Sequence, residues 1–387
     1  VGIFWAALMT LQLVVLTALY LVGQRHVRGG RGPEPRPAVS PPVALIVPLT
    51  GNTPGMREAV GSLLDQDYPD YAVYCVTERA DDPAVALVRE LAAGKDHVHQ
   101  LVAGSATTCG QKNHSILAGI RAAGRPDVYA FCDSTHVADR TFLSNLVAPI
   151  GRGDAFMTSG FHRIVPEDTR TGTLGMLITC LALHLFQSIR AITQPWGGAM
   201  AISRQAFEKF DLVSLWSRNI VDDFSMGPHL RRWGLPAWPV PSACLRTPLS
   251  GVTLAGWDIW LTRQLLYLKF CMPTGWLLSI LGVLLLSGPQ IVAVVAVLGW
   301  LAGVVGPGLG LASVGYLVLF LGLGLVFRTL SPRPVPAPDW LRGYFATFLM
   351  LAWCFGRTFI TNTMRWRGID YKVGWGGVVK AVIRRAA

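Results

Sequence analysis

Hydrophobic positions in this chain follow two different rules in different stretches. Residues 1–23 are apolar, broken only by Thr and Gln, and almost every residue from 273 to 327 is apolar. At 1.5 Å rise per residue the first stretch crosses a bilayer core of roughly 30 Å. The second is too long for one span and long enough for two, with a turn expected at Gly306-Pro307-Gly308. Residues 341–360 are a further candidate span that contains Arg357. Between these stretches the pattern changes. Short apolar runs at 43–47, 71–76 and 128–132 read as strands, with a further short strand at 97–102. Helically spaced segments at 54–64, 83–93 and 111–123 separate them. Asp81 and Asp82 precede the second of these, and Pro83 sits in its first turn. This β-α-β-α-β-α-β order predicts a Rossmann-like nucleotide-binding half.

Beyond Asp139 the pattern is less regular. Residues 171–192 read as an apolar helix lying against the membrane, and 196–203 as a glycine loop (Gly197, Gly198) entering a strand. A short helix is expected at 224–233, starting at an Asp pair. Residues 257–270 set Arg263 and Lys269 beside Trp and Leu, which predicts an interfacial helix. The organisation expected is therefore a membrane helix at 1–23, a basic Gly/Pro linker at 24–42, a cytosolic α/β domain at 43–256, an interfacial helix at 257–272, a membrane region at 273–361 and a basic tail at 362–387.

Charge sharpens this picture. Arg25, His26, Arg28, Arg31 and Arg36 follow the first apolar run, and nothing basic precedes it. A signal peptide carries its basic residues ahead of the apolar run, so a retained span is expected, with its N-terminus outside and the following chain in the cytoplasm. Three further spans would then carry the basic tail to the outside, against the positive-inside bias. One apolar stretch is expected to be re-entrant or interfacial, or the tail breaks the rule. The net charge of +11 points to an anionic partner, either lipid headgroups or nucleotide phosphates. No basic run interleaved with aromatics appears, which argues against nucleic acid. The seven cysteines are scattered without a CxxC pair and read as small buried hydrophobes in a reducing compartment.

The candidate chemistry is carboxylate-based. Asp133 closes the strand at 128–132, where side chains point into the ligand crevice of an open α/β sheet. It is a candidate metal-diphosphate ligand or, more plainly, a turn cap; His136 is a candidate second ligand or a structural histidine. Asp222 and Asp223 are candidate catalytic carboxylates, or an N-cap pair for the helix that follows; both hold at once if Asp222 caps and Asp223 reacts. Glu78, Asp81 and Asp82 follow the second strand and could hydrogen-bond a nucleoside, although the two aspartates also suit a helix start. Gly110-Gln111-Lys112-Asn113 opens a helix whose amides and Lys112 could meet phosphate.

The order Asp67-Tyr68-Pro69-Asp70-Tyr71, Asp81-Asp82-Pro83-Ala84, Lys112-Asn113, Cys132-Asp133-Ser134, Asp222-Asp223-Phe224 and, after the apolar spans, Trp366-Arg367-Gly368 with Tyr371 resembles family 2-type inverting glycosyltransferases of the GT-A fold. Within them the chain looks most like the ceramide glucosyltransferase group. The resemblance covers nearly the whole chain. It implies an α/β GT-A catalytic domain with a Rossmann-like mixed sheet between N- and C-terminal membrane helices. It also implies a UDP-sugar donor (glucose favoured), a ceramide-like lipid acceptor and a divalent cation, Mg²⁺ or Mn²⁺. Glu78 and Asp81 would then sit at the nucleotide, Asp133 at the metal and diphosphate, and Asp223 would be the base. Arg263 and Gln264 begin the stretch matching the family's (Q/R)xxRW element, where Leu266 and Tyr267 replace Arg and Trp. With the Gly197-Gly198 loop they are the candidate acceptor and diphosphate contacts. Thr135 stands where the family carries a second acidic residue.

Two rival readings remain. A processive polysaccharide synthase, or a transferase acting on polyprenyl phosphate or hopanoid, would use the same carboxylates. A transporter or membrane scaffold with a dead transferase domain would have no reason to keep Asp133, Asp223 and Lys112 together.

Overall fold

The structure, a computed structural model, describes residues 2–30 and 32–385, so Arg31 of the basic flank lies outside the described residues, as do residue 1 and residues 386–387. Helix α1 (Gly2–Val27) leads into β1 (Val43–Leu49), α2 (Met56–Leu64), β2 (Tyr71–Thr77), α3 (Pro83–Leu91), β3 (Val98–Val102), α4 (Gln111–Ala123) and β4 (Val128–Cys132). These strands pair in parallel in the order β3-β2-β1-β4. The apolar runs become strands because helices cover both faces, so β1 and β4 are buried almost end to end. Asp82 caps α3 by accepting from the Ala84 amide at 2.9 Å, and Pro83 occupies the first helical position.

The sheet continues beyond what the sequence pattern predicts. Helix α5 (Phe142–Gly151), β5 (Met157–Pro166), α6 (Thr171–Gln187) and β6 (Ala199–Ser203) follow, then α7 (Arg204–Lys209), α8 (Leu212–Trp216), α9 (Asp223–Arg231) and β7 (Trp238–Leu249). Strand β6 runs antiparallel between β4 and β5, and β7 closes the edge alongside β5, giving a mixed seven-stranded sheet. Strand β7 carries Pro239, Pro241 and Pro248 and so suits an edge, where fewer amides are needed for pairing. One core lies between the sheet and α2, α3 and α5; a second lies between the sheet and α4 with α7–α9.

Helices α10 (Leu254–Cys271), α11 (Pro273–Leu301), α12 (Pro307–Arg328) and α13 (Ala337–Ile360) follow. Among the described residues α1, α11, α12 and α13 are long and apolar enough to cross a membrane. They share one apolar cluster with α6. Gln12, Gln290 and Tyr316 bond to one another in its interior, which satisfies polar groups that lipid could not. Helix α13 is tied at both ends to the α/β part and its adjoining helix. Arg342 donates to Thr169 O at 2.9 Å near its start, and Arg357 pairs with Asp258 of α10 near its end. These ties hold α13 to the α/β part and to α10.

The basic tail is folded. Strands β8 (Thr363–Trp366), β9 (Ile369–Val373) and β10 (Val379–Arg384) form an antiparallel sheet. It packs on Leu266 and Phe270 of α10 and on Ile220 and Val221, just before α9. All seven cysteines are free, and all but Cys244 are buried.

Candidate active site

Asp133 follows β4 and stands half-buried at the carboxyl edge of the parallel strands. Because β6 is antiparallel to β4, the glycine loop that precedes β6 arrives beside it, and the Asp133 amide donates to Gly198 O at 3.3 Å. Lys112, in the first turn of α4, reaches the same point. Its ammonium lies 2.8 Å from Asp133 Oδ1 and 3.1 Å from Asp222 Oδ2 and donates to Gly197 O at 3.0 Å. Asp222 is fully buried. Neither of its carboxylate oxygens has a directed hydrogen bond, so Lys112 compensates it by charge alone. Burial disfavours the Lys112 charge, but Asp133, Asp222 and Asp223 outweigh it and raise its pKa.

Gly197 makes this closeness possible. A Cβ there would stand 2.4 Å from Asp222 Oδ2 and 2.8 Å from Lys112 Nζ. Its amide donates to Asp223 Oδ2 at 2.9 Å, and the Phe224 amide donates to Asp223 Oδ1 at 2.6 Å. Burial, then repulsion from Asp222, pushes the Asp223 carboxyl up to about 7, against the pull of Lys112. Asp222 takes the N-cap position of α9 without capping it through its side chain; the carboxylate turns to Lys112 instead. The expected division, Asp222 capping and Asp223 reacting, is corrected in its first half.

His136 Nε2 lies 4.0 Å from Asp133 Oδ2. Burial pushes this imidazole down to about 4, against the attraction of Asp133. Thr247 Oγ1 is 2.8 Å from His136 Nδ1 and 2.7 Å from His162 Nδ1. The His162 ring stacks on Trp196, 4.6 Å between centroids at 9°. Among the described residues no group of three or more His, Cys, Asp or Glu gathers as a metal cage.

Asp133, Lys112, Asp222 and Asp223 all line one cavity of about 980 Å³. The cavity continues past Arg263, Gln264 and Tyr267 of α10 to Leu16 and Leu19 of α1, Val283 and Leu286 of α11 and Phe348 of α13. Arg263 Nε is buried without a hydrogen-bond partner. Glu78, Asp81 and Asp82 are engaged elsewhere and do not line it. Glu78 Oε1 meets Arg384 of the tail at 2.6 Å, and exposed Asp81 pairs with Arg79. Asp82 caps α3 and accepts from the Gly51 amide at 2.8 Å. Two of the amides expected to cradle phosphate at the start of α4 are occupied: Gly110 N donates to Asn219 O and Gln111 N to Tyr371 Oη. Sequence reading missed the tail's part in this site. The alternation of Ile369, Tyr371 and Val373 with Asp370 and Lys372 was the available signal.

The model of a family described as glycosyl transferase family 21 matches residues 6–379. No curated protein matches significantly. Among solved structures the chain is similar to the mannosyltransferase PcManGT from Pyrobaculum calidifontis, in complex with GDP-Man and Mn²⁺. The two share 15% identity over 92% of this chain and 99% of that one, with a TM-score of 0.53. It is also similar to glucosyl-3-phosphoglycerate synthase from M. tuberculosis, at 16% identity over 59% of this chain and 80% of that one, with a TM-score of 0.37. The first of these likenesses identifies the mixed sheet as a GT-A fold.

Proposed function

The chain belongs to glycosyl transferase family 21, and from that premise we propose that this glycosyltransferase transfers one sugar, with inversion, from a UDP-sugar to the hydroxyl of a ceramide-like lipid. Glucose is the favoured sugar, and the site is expected on the cytoplasmic face. The observation that carries the reading is the single cavity joining the Lys112-linked carboxylates to the apolar helices. A headgroup can stand at the polar end while its tails remain among α1, α11 and α13. In this mechanism the acceptor oxygen attacks the anomeric carbon in line, the bond from that carbon to the diphosphate breaks, and the hydroxyl proton passes to Asp223. Burial and Asp222 give Asp223 the basicity this requires. Arg263, with an unpartnered Nε, is the candidate for meeting the departing charge from α10.

Two of the residues present fit a divalent cation. Asp133 offers a carboxylate, and His136 a buried, neutral imidazole held by Thr247. The remaining ligands would be diphosphate oxygens. When bound, the cation would neutralise the diphosphate charge.

Purified protein incubated with UDP-sugars and lipid acceptors, with products read by mass spectrometry, tests the reading. A single hexose on ceramide is the expected product; a polymer, or sugar on polyprenyl phosphate or hopanoid alone, overturns it. A GDP-linked donor is the second reading, because the mannosyltransferase above holds GDP-Man, and GDP-sugars belong in the same panel.

A further inference from the structure

The C-terminal hairpin carries a group that the mechanism above leaves unused. Trp366 pairs with Ile369, so Arg367 and Gly368 alone make the turn between β8 and β9. Both have positive φ, 46° and 77°. A two-residue turn of this kind favours Asn or Gly at its first position. Among the described residues, Arg367 and Asp211 are the non-glycine residues with positive φ. Backbone strain held at one residue is a reason to ask what its side chain does. Arg367 lines the cavity. Its one hydrogen bond is donated to Thr50 O, just past the carboxyl end of β1. Burial lowers its pKa and Arg263 adds to this, while Asp82 and Asp133 pull the other way from the domain side. The guanidinium therefore stands over the carboxyl edge of the parallel strands, with most of its N–H groups free.

The hairpin is not a loose end. Tyr371 is buried and its Oη accepts from the Gln111 amide at 3.2 Å. Arg384 meets Glu78 at 2.6 Å and donates to Gln111 Oε1 at 3.0 Å. The platform that holds Arg367 is thus fixed to the turn that bears Lys112.

We propose that Arg367 binds the diphosphate of the sugar donor. The proposal rests on the transferase reading of the site and adds a ligand from a segment that follows all the membrane helices. A planar guanidinium matches phosphate oxygens two at a time and needs no metal to do so.

Calorimetry on the full-length protein in detergent, with UDP, UMP, GDP and GMP in Mn²⁺-containing buffer, tests it. The variants are Arg367→Ala, Arg367→Lys and, as a control on the same sheet, Arg365→Ala. Arg367→Ala is expected to weaken the diphosphate about ten- to a hundred-fold and the matching monophosphate far less, with part of the loss restored by lysine. Unchanged diphosphate affinity in Arg367→Ala, or equal losses for mono- and diphosphate, overturns the assignment. Wild-type protein that binds neither UDP nor GDP overturns the transferase reading as well; wild-type binding without loss in the variant overturns the role of Arg367 alone.

Discussion

Asp223 is a carboxylic acid whose surroundings resist its ionisation. If it is the base, catalysis needs the ionised form, so kcat/KM should rise with pH and level off above about 7. A pH–rate profile that is flat from pH 5 to pH 8 would contradict this. Asp223→Asn should lower transfer by about three orders of magnitude while leaving UDP binding intact; equal loss of both would move the residue to the donor side. The same shift has a sign in stability. A folded-state pKa raised above the ordinary carboxylate value means that the group's stabilising contribution is complete below that value and is lost as pH climbs through about 7. Asp223→Asn should therefore raise the melting temperature relative to wild type at pH 8, and the gap should shrink towards pH 5. Lys112→Met should act in the opposite direction, because it strands fully buried Asp222 without a cation. The loss should be about 3 kcal/mol or more by detergent-phase unfolding. Asp133, Lys112 and Asp223, which line one cavity, stood out in the sequence because each marks the end or start of an element. Glu78 was not, because its partner, Arg384, lies at the other end of the chain.

At the scale of elements, the parallel half followed from its apolar runs, and α4 and β4 have the bounds that the pattern predicts. Strand β5 escaped because Ser159, His162 and Arg163 interrupt its apolar positions, and β7 because its prolines read as loop. The tail escaped because its arginines and lysines hid an alternating strand. Its join to the site turns on Gly377. A Cβ there would stand 2.7 Å from Cys271 Sγ and 2.8 Å from Asn219 Oδ1, whereas Gly376 faces open space. Both have positive φ. Gly376→Ala should cost backbone strain alone, about 1 kcal/mol. Gly377→Ala should cost roughly 2–3 kcal/mol and also lower kcat, because it displaces Asn219 just before the Asp pair. Equal effects from the two substitutions, in unfolding and in turnover, would separate the tail from the chemistry.

At the scale of the molecule, the charge conflict seen in the sequence has a geometric answer. Helix α13 has the composition of a span, yet its ends are tied to Thr169 and Asp258. The tail packs against Ile220 and Val221 of the α/β part, so the chain returns to the side of the sheet after α13; with that side in the cytoplasm the positive-inside bias would be met. Length and hydropathy could not reveal this, because they do not record what holds a helix's ends. The cavity between α1, α11 and α13 makes the last prediction. Val283→Trp should raise KM for a long-chain lipid acceptor about ten-fold, by filling space that a chain would occupy, with donor KM unchanged. Equal inhibition with a short-chain, water-soluble acceptor would show that the cavity is not the acyl path.

The folded tail bears on how the protein is made. Tyr371 and Arg384 brace the turn that holds Lys112, and a ribosome adds them only after α13. The carboxyl edge of the parallel strands can form early, but it stays unbraced until translation has passed the helices. A nascent chain of this design is therefore expected to lack a braced Lys112 turn until its tail has docked.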